Sequence, residues 1–138
     1  MRKKSIQDIM PLIERPSRYL GNEINIIKKD SGKVKLKFAL VFPDLYEIGT
    51  SHFGLQILYS ILNKKKEVYA ERVFAPGIDM EDHLRALKIP LWSLETKTPI
   101  SDFDIIGFSI LYELNYTNIL NILNLAQIPF YSSQRDDS

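Results

Sequence analysis

The stretch Phe38-Ala39-Leu40-Val41-Phe42-Pro43-Asp44-Leu45-Tyr46-Glu47-Ile48-Gly49-Thr50-Ser51 decides the fold. Its first five residues are all apolar and stop at a proline. A run so short, without alternation, predicts a strand buried on both faces, as helix-covered parallel sheets require. Just upstream, Val34, Leu36 and Phe38 alternate with lysines, so the strand begins half exposed. Downstream, the loop 43–51 leads into a helix from about His52 to Lys65. Its Leu55, Leu58, Tyr59, Ile61 and Leu62 make a broad apolar stripe, with Thr50 or Ser51 placed to cap its start.

Further out, residues 67–74 predict a second strand, ended by Ala75-Pro76-Gly77. Asp79 is placed to cap a helix through Leu84 and Leu87, with Glu81 and Asp82 in the first turn, where the helix dipole favours acids. Residues 91–94 predict a short strand, 105–111 another buried strand, 116–126 a strongly apolar helix, and 128–131 the opening of a further strand. Before the first strand lie a short helix or turn at 5–14, a break at Arg15-Pro16, an extended stretch at 19–28 and a turn at 30–33.

The order β-α-β-α-β-β-α predicts an α/β fold. It is a doubly wound, mostly parallel sheet with helices on both faces. Residues 1–33 read as a lead-in, 34–131 as the Rossmann-like domain and 132–138 as a polar tail. The sheet is expected to stop short of its last strands. Ligands of such sheets sit beyond the carboxyl ends of the strands, which marks the loops 43–51, 75–78, 95–102 and 112–115.

Composition removes several function classes. The chain has 138 residues, 45% of them hydrophobic, and a formal charge of +1. It can therefore bury a core, and it carries no global field for nucleic acid. There is no cysteine, which excludes disulfides, a cysteine nucleophile and an iron–sulfur cluster held by this chain. No run approaches the roughly 20 apolar residues of a membrane helix, and a cytoplasmic location is the default expectation.

Asp44-Leu45-Tyr46-Glu47-Ile48-Gly49 fits D-x-Y-x-x-G between a buried strand and a helix. The loop resembles the D-x-H-x-x-G loop of cobalamin-binding Rossmann-like domains, with tyrosine in place of histidine. Ser109-Ile110-Leu111 resembles their S-x-L element, at a longer spacing than is usual there, and their later Gly-Gly turn is missing. Residues 38–49 with 51–59, 70–76, 103–109 and 112–118 look like the start of an uncharacterised radical SAM family. In that family a B12-binding-like domain precedes a radical SAM barrel.

The resemblance implies a corrinoid positioned beside a downstream barrel, whose S-adenosylmethionine and 4Fe-4S cluster would belong to the parent protein. This chain would not be catalytic alone. The alternative is a cofactor-free module that docks on, or covers, the same barrel. An unfinished sheet edge also predicts self-association.

The resemblance offers nine cofactor-binding candidates: Asp44, Tyr46, Glu47, Gly49, Thr50, Ser51, Ser109, Leu111 and Tyr112. Tyr46 would pack under the corrin without bonding cobalt, since a phenol with a pKa of about 10 is a poor ligand at neutral pH. It could equally close the loop by packing and one hydrogen bond. Asp44 would meet a corrin amide, or form a turn. Gly49 permits a left-handed turn or close ligand approach. Thr50 and Ser51 bind ligand or cap the helix, and Ser109 meets the nucleotide tail or bonds a neighbouring loop. Glu47 and Tyr112 lie at predicted carboxyl ends of strands. His52 reads as structural, and Glu113 has no catalytic partner at a recognisable spacing.

Overall fold

A computed structural model describes residues 5–135. In chain order its helices and strands are α1 (Ile6–Ile9), β1 (Leu36–Phe42), α2 (Tyr46–Gly49), α3 (Phe53–Lys64), β2 (Val68–Phe74), α4 (Ile78–Leu87), β3 (Ile105–Phe108) and α5 (Leu114–Leu125), with short 3-10 turns between. The three strands are all parallel, in the order β2-β1-β3. The register pairs Leu36 with Val68 through Phe42 with Phe74, and Phe38 with Ile105 through Val41 with Phe108.

Because strand side chains alternate between faces, this register sorts the core into two layers. Leu40, Phe42, Ala70 and Phe74 pack with Leu55 and Tyr59 of α3. On the opposite face Ala39, Val41 and Val73 pack with Met80 and Leu84 of α4, Ile122 and Leu125 of α5, and Ile9 of α1. The α/β, parallel, doubly wound reading therefore holds. One crossover returns through α3 on one face and the next through α4 on the other, as right-handed connections demand when the strand order reverses around β1.

The two edges of the sheet differ. On β2 the outward backbone groups of Ala70 and Arg72 are engaged by pieces that are not strands. Asn63, at the end of α3, donates its amide to Ala70 O at 2.9 Å and accepts from Ala70 N at 3.0 Å. Glu95 accepts from Arg72 N at 2.8 Å, and Leu94 N donates to Arg72 O at 2.8 Å. Every residue of β2 is buried. Among the described residues β3 has no such cover, and Ile105 is exposed.

Several expected boundaries move. Residues 91–94 do not join the sheet: Trp92 makes one antiparallel bridge to Pro99, and the segment seals β2 instead. The strand expected at 105–111 ends at Phe108 and is half exposed, because β1 pairs it on one side only. Residues 128–131 form no strand, since Pro129 and the lack of a neighbour leave nothing to pair with. The loop 43–51 contains the one-turn helix α2.

Neither Thr50 nor Ser51 caps α3. The cap is His52, whose Nδ1 accepts from Leu55 N at 3.3 Å. Gly77 rather than Asp79 precedes α4; Asp79 instead accepts from Glu14 N at 2.7 Å and ties down the N-terminal stretch. No helix among the described residues is long and apolar enough to cross a membrane.

Candidate functional site

The strand order reverses between β1 and β3, so the segments leaving their carboxyl ends, 43–51 and 109–115, face a common space. They touch. Tyr112 donates its hydroxyl to Asp44 Oδ2 at 3.2 Å, and Asn118 of α5 donates to Pro43 O at 2.9 Å. Asp44 Oδ1 also accepts from Leu45 N at 2.8 Å, so this carboxylate shapes its own turn. Asn115 is buried and accepts from Leu111 N at 2.9 Å, fixing the other segment. Ser109 extends the ladder through its N–H to Val41 O, and its hydroxyl has no partner among the described residues.

The remaining candidates turn elsewhere. Glu47 accepts from Arg18 Nε at 2.7 Å and faces Arg15 at 3.5 Å; the Arg18 hydrogen bond holds its carboxyl below the usual range. The Thr50 hydroxyl donates to Tyr46 O and the Ser51 hydroxyl to Ile48 O, both at 2.9 Å. These are bonds back onto α2. Gly49 lacks a left-handed backbone and is helical; glycine is required by space, since a Cβ there would stand 2.3 Å from Phe74 Cε1 and 3.0 Å from Phe42 Cδ1. Aromatic rings fill the space that the sequence reserved for a turn or a ligand.

Tyr46 packs into the layer between the sheet and α3. Its ring meets Phe74 edge-on, with centroids 5.4 Å apart, and its hydroxyl donates to Glu23. Glu23 pairs with Arg72 Nη1 at 2.9 Å, and Arg72 Nε with Glu95 at 2.7 Å. The guanidinium lies 4.8 Å over the Tyr59 ring. Burial, then the Glu23 carboxylate, pushes the Tyr46 phenol up to about 12. Such a phenol stays protonated at neutral pH and offers cobalt no ligand. A corrinoid at this rim would meet one uncommitted hydroxyl from the family pattern, that of Ser109.

This cluster was not foreseen. Glu23 lies in a stretch that reads only as extended, and Arg72 in a strand whose burial its charge conceals. A charged pair in adjacent apolar runs is the one signal that could have found it.

Residues 54–138, more than half of the chain, match the family described as radical SAM proteins, N-terminal. The chain belongs to this family. No curated protein and no solved structure matches it. Membership of the radical SAM N-terminal family implies S-adenosylmethionine and a 4Fe-4S cluster in the parent protein. With no cysteine, this chain supplies none of the thiolates that hold such a cluster.

Proposed function

We propose that this chain is a cofactor-free N-terminal module that docks on and covers the radical SAM domain linked to it. The observation that carries this reading is the asymmetry of the sheet. The β2 edge is sealed by Asn63, Leu94 and Glu95, whereas β3 and the outer face of α5 expose Ile105, Leu114 and Leu120. α5 packs on the same face as α4, so a right-handed connection from it leads to the open side of β3. The occupant is therefore linked polypeptide: a parallel strand beside β3, followed by the barrel. The loop 43–51 supports the same reading, because its hydroxyls, its carboxylates and Gly49 are spent on internal contacts.

The test is hydrogen exchange on this chain alone and on the chain linked to its radical SAM domain. Slower exchange of β3 and α5 in the linked protein is expected. Equal exchange in both would overturn docking through this edge.

A second reading is favoured by the meeting of Asp44, Tyr112 and the free Ser109 hydroxyl at the reversal point. Here the rim positions a base-off corrinoid with no protein ligand to cobalt. The cofactor would supply methyl- or electron-transfer chemistry, and the chain would only place it. Titration of the linked protein with hydroxocobalamin separates the two. A saturable change in the visible spectrum supports the corrinoid, and an unchanged spectrum supports the cofactor-free module.

A further inference from the structure

The Glu23–Arg72–Glu95 cluster is more than a fold contact. Arg72 lies in mid-strand with 9% of its side chain exposed, and its Nη2 is buried without an acceptor among the described residues. A guanidinium N–H left unpaired away from water costs free energy that folding does not recover. The same side chain forms one wall of a cleft of about 330 Å³, with Glu23, Thr50, Gln56, Tyr59 and Ser60 among the others. That volume is at the lower end of small-molecule sites.

The charges restrict what can enter. Two carboxylates, Glu23 and Glu95, face one guanidinium, with Glu95 fully buried. Arg72 already holds a carboxylate at Nε and at Nη1, so an anionic ligand would have to displace one of them, and Arg72 is not arranged to bind a carboxylate or phosphate. Its orphan N–H asks for a neutral acceptor. Beside it Glu23 keeps 28% of its side chain exposed and accepts hydrogen bonds. Gln56 donates its amide to Thr50 O at 2.5 Å, and its own carbonyl has no partner among the described residues. The residues lining the cleft thus carry one buried unpaired donor and two acceptors.

We infer that this cleft binds a small neutral primary carboxamide, whose carbonyl accepts from Arg72 Nη2 and whose amide donates to Glu23 and Gln56. Nη2 has no exposed surface in the unliganded molecule, so entry requires the cluster to open. Glu23 lies outside any helix or strand, so exchanging its bond to Arg72 for one to the ligand's amide requires no helix or strand to shift. The inference does not depend on whether a corrinoid binds at the rim.

The experiment is an NMR titration of the uniformly nitrogen-15-labelled 138-residue protein with propionamide, propionate and propylammonium. Propionamide is expected to shift the Arg72 Nη signals and the Thr50 and Gln56 amides saturably, and to bind about tenfold or more tightly than propionate. Glu23→Gln removes one carboxylate from Arg72, and propionate is expected to gain on propionamide. Should that variant not fold, Gln56→Ala, on the exposed side of α3, is expected to weaken propionamide binding while leaving stability intact. Equal binding of propionamide and propionate overturns the inference. So does the absence of a saturable shift, or an Arg72 Nη2 proton held by a buried water that propionamide does not displace.

Discussion

The Tyr46 hydroxyl and the Glu23 carboxylate are hydrogen-bonded across 23 residues of sequence, joining the loop after β1 to the stretch that precedes it. Through Glu23 the bond reaches Arg72, and through Arg72 it reaches Glu95 beyond the β2 edge. The residue that most resembles a cofactor ligand therefore serves as a structural clasp. The clasp also brings Ile27 to α3, where its N–H donates to the Tyr59 hydroxyl at 2.9 Å.

Alkaline titration tests this clasp. Burial pushes both Tyr46 and Tyr69 up to about 12, above the unfolded value of about 10. A folded-state pKa raised in this way contributes stability below the unfolded value, and that stability is lost as pH rises through the folded one. The urea midpoint is expected to fall between about pH 10 and pH 12. Phenolate absorbance of the native chain should lag that of the denatured chain, and Tyr46→Phe should remove part of the lag. A native chain that titrates like the denatured one would refute the clasp.

The alternation and apolar runs around Phe38–Phe42 sufficed to read the parallel sheet and its helices, because burial on both faces leaves a strong local signature. What escaped was non-local. Asn63 reads as one more polar residue at a helix end, and only the fold reveals it as a substitute strand for Ala70. Residues 91–94 have strand-like composition, yet their Leu94 N–H and the Glu95 carboxylate seal an edge. At the site, Asp44 and Tyr112 do meet, whereas Glu47 turns to Arg18, a partner 29 residues away that no spacing announces. The match to D-x-Y-x-x-G located the loop but not its use.

Asn63→Leu should be among the most damaging single changes on α3. It removes the partners of both Ala70 backbone groups where water cannot replace them. A loss of about 2–4 kcal/mol is expected by urea unfolding. Asn63→Asp keeps only the acceptor, and should lose the bond to Ala70 O while retaining that from Ala70 N. A leucine variant as stable as the parent would mean that the β2 edge needs no seal.

Gly49→Ala sets two effects against each other. Alanine favours the helical backbone of α2 by about 1 kcal/mol. Its Cβ, however, would press into Phe74 at 2.3 Å, and overpacking costs about 1–3 kcal/mol. Net destabilisation is expected, with recovery in Gly49→Ala combined with Phe74→Leu. A double-mutant cycle in calorimetry reads the coupling. Additive effects would show that the two residues do not touch.

Acid should loosen the N-terminal stretch first. Hydrogen bonding from Arg18 depresses Glu47, and the Glu14 N–H depresses Asp79. Depressed carboxyls contribute stability above their unfolded pKa values, and lose it as pH falls through the folded ones. Amides of 14–19 should then exchange faster in acid while those of β1 stay protected, and Asp79→Asn should reproduce this near neutrality. Uniform exchange along the chain would contradict it.

The chain by itself should self-associate, and from one side only. An open strand edge offers unpaired N–H and C=O groups, and an adjoining apolar face adds a non-directional attraction. β3 supplies the first through Ile105–Phe108. α5 supplies the second, with Leu114 exposed to 71% and Leu120 to 49%. The β2 side lacks the first, since Asn63, Leu94 and Glu95 occupy the outward groups of Ala70 and Arg72. Leu114→Lys with Leu120→Lys touches no buried side chain, so it should leave the urea midpoint within about 0.5 kcal/mol of the parent. The same pair should reduce the mass seen by light scattering across a concentration series. Lysines on α3 at Ile57 and Ile61, also exposed but away from the open edge in sequence and strand order, serve as the control. If the α3 pair dissolves the assembly and the α5 pair does not, the contact lies on the other layer, and β3 is not the edge that seeks a partner.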